Sequence, residues 1–570
     1  MMLITSVSLV LFQNCGPALH STSSGGNNFL NSNGMQTVFK CNPQAEVSPI
    51  SIRRLTKYEY SQSIYLLASL VPTAELAAMK SQLAALLMSV PDDNGVKFDS
   101  DDTGISEAHT SSYLVVARGF AAEVFKNNAR LKAFIGSCAS TTTAPTAACS
   151  SAFLASPNAT QILRRPLTSQ ESTQMIADMN GDWKMLISRL LMHPHFIFQI
   201  ELEGKNIENT LLKISPYELA SRISFHVVKQ GPDAALLAKA RDGTVMQNDV
   251  ITAEVERLIS AYPQQATYSQ DKFFEGWLSY NRVAYPVAPV SAAEKAFTGG
   301  KTLLRTSLLN ELQNMTRYYT GKGQGSFEDL LSSPYSFASD ADLAGMYGVA
   351  PYNPNLDMMI GFPGKQRAGL MSRAAFLVSG SINTSPITRG LRVRRQFLCE
   401  ELAPPPANIA SMVRDPGFNP NLTTRERYTQ KTASSACIGC HVSINPLGFV
   451  LEGFDGFGRA RTVETVYDEQ TGVVLNQLPV DPIVQPQIDL SDSRSIASVG
   501  DFHRLLADSG KARGCMIESF FQYVHHRTAD RVADSCTLLE MDDLASSPKG
   551  MYKLFYETPL KSSFQLRKID

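Results

Sequence analysis

The sequence lacks an excess of charge of either sign, and this absence narrows the partners that the chain can have. Its 570 residues contain 52 lysines and arginines against 53 aspartates and glutamates. So close a balance supplies no net field to attract nucleic acid or an anionic membrane surface. We therefore expect no nucleic-acid partner.

Several signatures of catalysis and architecture are also missing. The sequence shows no glycine-rich phosphate loop, no nucleophile elbow and no internal repeat of fixed period. Beyond the N-terminus no apolar run reaches spanning length, so we expect the body of the chain to be soluble. Strand signals are sparse, and the best one, at 461–480, predicts a hairpin or an extended loop because β-branched residues flank a turn-rich stretch.

The N-terminus begins with a short apolar run, residues 1–12, which is typical of a signal-peptide core and too short to cross a bilayer. No Lys or Arg precedes this run, which departs from a good signal. Cys15 follows an imperfect small-residue box and is a candidate lipidation site, with 16–34 as a flexible leash. We expect an exported protein, periplasmic or anchored in the outer membrane as a lipoprotein, whose membrane contact is confined to the N-terminal lipid. A cleaved ordinary signal peptide is the alternative.

Cysteine usage agrees with export to an oxidising compartment. Apart from Cys15, Cys437 and Cys440, six cysteines are available for disulfides, namely Cys41, Cys138, Cys149, Cys399, Cys515 and Cys536. The strap between Cys138 and Cys149 is rich in Ser, Thr, Ala and Pro, and predicts a local disulfide. Cys515 with Cys536 is the next predicted pair.

Helix-start signals recur along the chain. In each, a Ser or Thr side chain is placed to cap the first turn, and an acid three residues later is placed to reach back to the cap. The five clear pairs are Thr56 with Glu59, Thr168 with Glu171, Ser215 with Glu218, Ser339 with Asp342, and Thr423 with Glu426. Together with the sparse strand signals, they predict a mainly α protein of several helical subdomains with little β structure.

The pattern Cys437-Ile438-Gly439-Cys440-His441 is the motif that carries chemistry. Two thiols three residues apart can each add to one vinyl group of a haem, and the adjacent histidine then faces the iron as its axial ligand. With nine cysteines and nine histidines in the chain, chance would produce this pattern in about one such sequence in several hundred. Half of a structural zinc site, a thioredoxin-like redox pair and a plain disulfide are the alternatives.

Other groups near the haem are candidates only. The sixth iron ligand, which separates an electron carrier from a catalyst, has six candidates: Met371, Met412, Met516, His503, His525 and His526. Arg459 is the first candidate for binding a haem propionate, ahead of Arg461, Arg389, Arg392, Arg394 and Arg395. Phe449, Phe454 and Phe457 are candidates for an apolar wall at the haem edge, with ordinary core packing as the alternative.

Linkers rich in Pro, Gly, Ser or Asn divide the chain into segments. We expect a lipoprotein-type signal peptide (1–15), a flexible linker (16–46), an N-terminal helical domain (47–138), a small helical domain (150–205), a large helical domain (211–352), a CxxCH haem-binding domain (360–465) and a C-terminal helical domain (485–566). No residue pattern in the large domain (211–352) predicts its function.

The segment after His441, with Asn445-Pro446-Leu447-Gly448-Phe449, Glu452-Gly453-Phe454-Asp455 and Gly458-Arg459, resembles the haem-bearing segment of the planctomycete surface-cytochrome-associated proteins. Further resemblance lies in 53–60 (RRLTKYEY), 164–168 (RRPLT), 215–222 (SPYELASR), 367–371 (RAGLM), 385–390 (SPITRG) and 404–406 (PPP). It covers about 51–565, weakly at the last domain. These proteins are built from several domains of unknown function, so the resemblance implies a haem segment and no particular activity.

Two departures from that family are visible. Asn445 stands where the family usually has Asp, which places a different hydrogen-bonding group near the haem. Tyr523-Val524-His525-His526-Arg527 replaces a more typical Tyr-Ala-Leu-Gly-Arg, so neither histidine is implied as a family ligand.

The sequence as a whole favours an exported electron-transfer protein with one covalent haem c at Cys437, Cys440 and His441 and an unidentified redox partner protein. A peroxidase-like or oxygenase-like haem enzyme and a haem-free surface-binding lipoprotein are the alternatives.

Overall fold

The computed structural model describes residues 29–43, 52–102, 104–208, 211–321, 324–356, 358–364, 366–402, 418–468, 470–489 and 493–568. Within these residues the chain forms 25 α-helices, while its strands occur only in short pairs and one three-stranded sheet. The expected fold class, mainly α with little β, is confirmed. None of the helices in the described residues combines the length and the hydropathy that crossing a membrane would need.

The helices of the first half are α1 (Lys57–Ala68), α2 (Thr73–Leu87), α3 (Glu107–Val124), α4 (Asn128–Ile135), α5 (Ala147–Leu154), α6 (Pro157–Leu163), α7 (Ser169–Asp178), α8 (Trp183–Leu191), α9 (Pro194–Ile197), α10 (Pro216–Val228), α11 (Ala234–Arg241), α12 (Asn248–Ala261) and α13 (Pro263–Trp277). Those of the second half are α14 (Ala292–Thr298), α15 (Arg305–Thr320), α16 (Phe327–Leu331), α17 (Ala341–Tyr347), α18 (Ala374–Leu377), α19 (Pro386–Phe397), α20 (Thr424–Lys431), α21 (Ser435–Phe449), α22 (Val499–Asp508), α23 (Lys511–His525), α24 (Ser535–Ser546) and α25 (Gly550–Tyr556). Short 3₁₀ turns occur at Asp99–Asp101, Thr244–Met246, Tyr280–Arg282, Leu370–Ser372, Thr558–Leu560 and Ser562–Gln565.

The strands are β1 (Phe29–Leu30), β2 (Gln36–Thr37), β3 (Arg53–Arg54), β4 (Phe198–Gln199), β5 (Gly204–Glu208), β6 (Leu211–Ile214), β7 (Tyr335–Ser336), β8 (Ile360–Gly361), β9 (Val463–Tyr467), β10 (Val474–Pro479) and β11 (Leu566–Lys568). All pairings are antiparallel, and β6 lies between β5 and β11 in the three-stranded sheet. Strands β9 and β10 pair in a register that sets Val463 opposite Pro479. The predicted hairpin at 461–480 is therefore confirmed.

Four of the five predicted helix starts are confirmed as reciprocal capping boxes. They begin α1, α7, α10 and α20, each with the predicted Ser or Thr and Glu. The fifth prediction, Ser339 with Asp342, is wrong. Asp340 caps α17 instead, and its carboxylate accepts hydrogen bonds from the backbone N–H groups of Asp342 and Leu343 at 3.1 and 2.9 Å. A carboxylate one position nearer to the helix accepts from Asp342, which the serine was expected to cap, and from Leu343 as well.

The described residues form two compact units. Unit 1 comprises the described parts of 1–41, 274–519 and 538–554, and unit 2 those of 42–273, 520–537 and 555–570. Each unit thus joins stretches that are far apart along the chain, whereas the segments expected from the sequence are consecutive. Cys15 and the signal peptide lie outside the described residues, so the expected anchor stays a prediction.

Each unit has an aromatic core. In unit 2, Trp183 is fully buried and meets Phe153 edge-on, with ring centroids 6.3 Å apart. In unit 1, Trp277 is buried beside Phe397, and its indole N–H donates to the carbonyl oxygen of Gln396 at 2.9 Å. The indole therefore keeps a partner for its polar atom while its ring is buried.

Each unit contains a disulfide that joins two of its own cysteines. Cys138 bonds to Cys149 within unit 2, as predicted. Cys515 bonds to Cys399 within unit 1, so the predicted pairing of Cys515 with Cys536 is wrong. Proximity along the sequence favoured Cys536, but the fold places Cys399, which is 116 residues from Cys515, within bonding distance.

Candidate haem site

Helix α21 carries both cysteines of the CxxCH pattern in unit 1. Residues three apart on a helix lie on one face, so Cys437 and Cys440 project from the same side of α21. Both are thiols rather than disulfide sulfurs, with Cys437 buried and Cys440 exposed. The plain-disulfide alternative is therefore wrong, and one helix presents both thiols.

The imidazole of His441 is oriented by its own helix. Its Nδ1 lies 2.9 Å from the amide oxygen of Asn445, one turn later on α21. An amide oxygen only accepts hydrogen bonds, so Nδ1 carries the proton and Nε2 keeps the lone pair that a metal ion needs. The amide nitrogen of Asn445 in turn donates to the hydroxyl of Thr432 at 2.9 Å, which fixes the amide.

The outer face of α21 exposes apolar surface beside the thiols. Ile438 and Val442 are four residues apart, hence on one face, and their side chains are 49% and 46% exposed. A haem macrocycle is apolar and would bury such surface on attachment. The thiols, the oriented imidazole and this apolar strip fit a covalently bound haem.

Helix α21 is seated on α19 by close backbone contact. A Cβ atom built on Gly448 would lie 1.9 Å from the carbonyl oxygen of Pro386, and one built on Gly390 would lie 2.2 Å from that of Ile444. Any larger residue at either position would separate the helices. The two glycines therefore set how closely the CxxCH helix approaches its neighbour.

Arginines of α19 also hold the haem segment. Arg394 donates from Nε and Nη2 to the carbonyl oxygen of Ser443 at 3.0 and 2.8 Å. Arg389 is buried and donates to the carbonyl oxygen of Leu451 at 2.9 Å and to the carboxylate of Glu452 at 3.0 Å. The structure thus gives these two propionate candidates a scaffolding role.

Arg459, the first propionate candidate, already has protein partners. Its Nε lies 2.7 Å from the carboxylate of Asp455, and its guanidinium lies over the ring of Phe297, 4.6 Å from the centroid. The side chain is 36% exposed, so part of the guanidinium still faces solvent. Its contact with a haem propionate stays a prediction.

The three phenylalanines proposed as a haem wall are buried among protein groups. Phe454 lies under the guanidinium of Arg367 at 4.8 Å, Phe457 meets Phe297 edge-on at 6.3 Å, and Phe449 lies near Arg425. These contacts favour the core-packing alternative.

The candidates for the sixth ligand have different surroundings. His503 is a satisfied core histidine, because its Nδ1 lies 2.7 Å from the carbonyl oxygen of Val499 and its Nε2 accepts from the N–H of Met371 at 3.0 Å. Met371 and Met516 are buried in unit 1, whereas His525 and His526 line a pocket in unit 2. Met412 lies outside the described residues.

The zinc alternative needs two ligands beyond Cys437 and Cys440, for which Cys515 and Cys536 were the candidates. Both are disulfide-bonded, Cys515 to Cys399. Within the described residues, no group of three or more His, Cys, Asp or Glu side chains is arranged to hold a metal ion.

Sequence reasoning missed two members of the site. Thr432 lies on the turn after α20 and contributes only through Asn445, so no pattern in the sequence marks it. Gly448 was visible as part of the family-like run, but its role depends on a helix crossing that sequence alone does not reveal.

Comparison with known proteins finds similarity in two stretches. Residues 367–464 match the family model PSCyt3, a protein of unknown function (DUF1588), and residues 214–349 match PSD4, a protein of unknown function (DUF1592). The first stretch contains the CxxCH pattern, and the two lie within the predicted segments 360–465 and 211–352. No curated protein and no solved structure matches the chain.

Proposed function

We propose that the chain is an exported c-type haem protein that transfers electrons through one haem c attached to Cys437 and Cys440, with His441 as an axial iron ligand. The observation that carries this proposal is the hydrogen bond from His441 Nδ1 to Asn445, 2.9 Å long, on the helix that also presents both thiols. It leaves Nε2 as the ligating atom, which is the state that an iron-binding imidazole requires.

A bound haem c would supply one-electron chemistry, and the residues around the haem would control that chemistry. Asn445 and Thr432 keep the imidazole in one tautomer and one orientation. The contact of Arg394 with Ser443 and the glycine contacts between α19 and α21 limit movement of the helix. A carrier benefits from such rigidity, because little reorganisation then accompanies each electron transfer.

Disulfides support the proposed export. Haem attachment to CxxCH takes place outside the cytoplasm, and disulfides persist in the same oxidising compartments. Cys138–Cys149 and Cys399–Cys515 are both formed in the structure. We therefore propose a periplasmic or outer-membrane-anchored lipoprotein, with Cys15 as the lipidated residue and a redox protein as its partner.

The visible spectrum tests the proposal. The protein should be exported in a host with haem-attachment machinery, purified, and measured in its oxidised and reduced states. We expect a Soret band and a low-spin, six-coordinate spectrum. A high-spin spectrum with an open coordination position would favour the haem-enzyme alternative. A folded but colourless protein would contradict haem binding and leave the surface-binding lipoprotein.

A further inference from the structure

Unit 2 contains a pocket, whereas the helix with the CxxCH motif belongs to unit 1. Stretches of the chain that are far apart in sequence contribute its polar lining, which includes Gln199 and the carboxylate of Glu201. The cationic and imidazole side chains of the lining are Arg53, Arg222, His226, Lys229, His525 and His526, three of each kind. The pocket is therefore unusually rich in nitrogen for a buried site.

Two of the cations are already neutralised by carboxylates. Arg53 forms a two-pronged contact with Glu59, at 2.6 and 3.0 Å. Arg222 donates from Nε to the carboxylate of Glu201 at 2.6 Å. Each buried guanidinium thus has its own counter-ion, and neither adds net charge to the pocket.

Lys229 has no such partner. Its side chain is 6% exposed and its ammonium lies over the ring of Tyr523, 4.1 Å from the centroid. It forms no salt bridge and no side-chain hydrogen bond with any residue that the structure describes, although the carboxylate of Glu59, which is held by Arg53, stabilises its charge from beyond salt-bridge distance. Burying an ammonium costs several kcal/mol unless a counter-charge or hydrogen bonds offset that cost. Burial lowers the pKa of Lys229 to about 8, so the ammonium is still mostly protonated at neutral pH.

The imidazoles also have unused hydrogen-bonding atoms. His226 donates from Nε2 to the carbonyl oxygen of Phe555 at 2.6 Å, but its Nδ1 has no partner among the described residues. His525 is 7% exposed, and neither its Nε2 nor the Nδ1 of His526 has a partner there. Burial lowers the pKa of His226 to about 4 and that of His525 well below its usual range. Both are therefore neutral near pH 7. Because Nε2 of His226 carries its proton, the unused Nδ1 can only accept a hydrogen bond, whereas Nε2 of His525 can donate one in the tautomer that places the proton there.

Aromatic rings complete the lining. Phe225, Tyr523 and Phe564 contribute to the wall, and the hydroxyl of Tyr523 is already used in donating to the carbonyl oxygen of Ser269 at 2.7 Å. The three rings therefore present apolar surface, rather than hydrogen-bonding atoms, to a ligand in the pocket. An apolar wall with a few convergent polar groups is typical of a small-molecule site.

We propose that this pocket binds a small organic anion, whose carboxylate or phosphate group pairs with Lys229 and accepts hydrogen bonds from His525 and His526 while its apolar part packs against the aromatic wall. The unpaired cation selects for negative charge, and the unpaired imidazole nitrogens provide directed hydrogen bonds. A metal ion is the less suitable occupant, because the described residues contain no group of His, Cys, Asp or Glu arranged to hold one.

Calorimetric titration of the full-length protein tests this site. The probes are inorganic phosphate and acetate, with acetamide as the uncharged match to acetate. We expect saturable binding of at least one anion and none of acetamide. Lys229→Met should weaken the binding by tenfold or more, because it keeps the length of the side chain and removes the charge.

The matched control is Lys80→Met, since Lys80 also lies over a tyrosine ring in unit 2, 6.0 Å from the centroid of Tyr65, but is exposed. It should leave the affinity unchanged. His525→Phe leaves Lys229 in place and should weaken binding several-fold, which keeps the test valid if Lys229→Met does not fold. Absence of saturable binding for every anion, or equal affinity in the wild-type protein and in a folded Lys229 variant, would overturn the proposal.

Discussion

At the scale of single residues, Asn445 is the group through which the protein acts on the proposed haem ligand. Its amide oxygen holds the Nδ1 proton of His441, and its own nitrogen is held by Thr432. A neutral amide at this position accepts a weaker hydrogen bond than a carboxylate would. The imidazole is consequently a weaker electron donor to iron than it would be beside the Asp that is usual in the family which this segment resembles.

Asn445→Asp should therefore lower the reduction potential of the haem. A carboxylate strengthens the hydrogen bond and stabilises ferric iron, and we expect a shift on the order of tens of millivolts toward negative values. A potentiometric titration of the exported protein measures it. Asn355→Asp, at an exposed position of unit 1, adds the same charge elsewhere and should leave the potential nearly unchanged. Equal shifts in the two variants would contradict the role of Asn445.

Arg165, in the RRPLT run at 164–168, forms an ion pair with Glu171 that stabilises the fold. Two hydrogen bonds of 2.9 and 2.6 Å join the side chains, and they lower the pKa of Glu171 from 4.5 to about 2. A carboxyl whose pKa falls on folding stabilises the fold fully above pH 4.5, and this contribution disappears as the pH drops toward 2.

Glu171→Gln should therefore destabilise the protein by about 1 kcal/mol at pH 7, a value reduced for solvent screening of the partly exposed pair. The substitution keeps the capping hydrogen bonds that a glutamine can make. Denaturant unfolding at pH 7 and near pH 2.5 measures the difference. The difference in stability between the two proteins should be smaller at the lower pH, because the contribution of Glu171 is lost as the pH falls from 4.5 through 2. A constant difference would mean that the ion pair is not its source.

At the scale of elements, the crossing of α19 and α21 positions the CxxCH motif. Gly448→Ala should destabilise unit 1 by about 1–3 kcal/mol, because the new methyl group would overlap the carbonyl of Pro386. Gly439→Ala is the matched control on the same helix, since a Cβ there meets no atom within 4 Å. It should be neutral or stabilise by about 0.5–1 kcal/mol through helix propensity. Thermal unfolding measures both, and similar losses in the two variants would contradict the close crossing.

Most of the helix starts that local sequence signals predicted are present in the structure. Thr56, Thr168, Ser215 and Thr423 cap helices as predicted, because capping depends only on residues within one turn. The error at Ser339 arose because two adjacent side chains could cap the same turn, and the local pattern does not rank them. The β9–β10 hairpin was also predictable, since its turn and its strands are adjacent in sequence.

At the scale of the whole molecule, a disulfide should stabilise the fold more when it closes a longer loop, although the gain grows only with the logarithm of the loop length. The chain-entropy account assigns about 4–5 kcal/mol to a loop the length of Cys399–Cys515 and about 3 kcal/mol to one the length of Cys138–Cys149. We expect the double substitution Cys399→Ser/Cys515→Ser to lower the melting temperature of unit 1 more than Cys138→Ser/Cys149→Ser lowers that of unit 2. Scanning calorimetry checks the order, and the reverse order would contradict it.

The sequence did not predict which residues come together in the fold when they are far apart along the chain. The CxxCH pattern is contiguous, so its residues and their spacing identified the candidate haem site directly. The pairing of Cys399 with Cys515 and the convergence of Arg53, Lys229 and His525 on one pocket depend on contacts across hundreds of residues. No local pattern carries that information, and Lys229 in particular looks like an ordinary residue after a helix end.

The central claim is that Cys437 and Cys440 hold a haem covalently, and intact-mass spectrometry tests it most directly. The protein should be exported alongside haem-attachment machinery, together with Cys437→Ser/Cys440→Ser and, as the control, Cys138→Ser/Cys149→Ser. We predict that the wild-type protein and the control gain the mass of one haem and that the Cys437/Cys440 variant does not. A folded wild-type protein at the mass of its polypeptide alone, or a haem that remains on the Cys437/Cys440 variant, would contradict the claim.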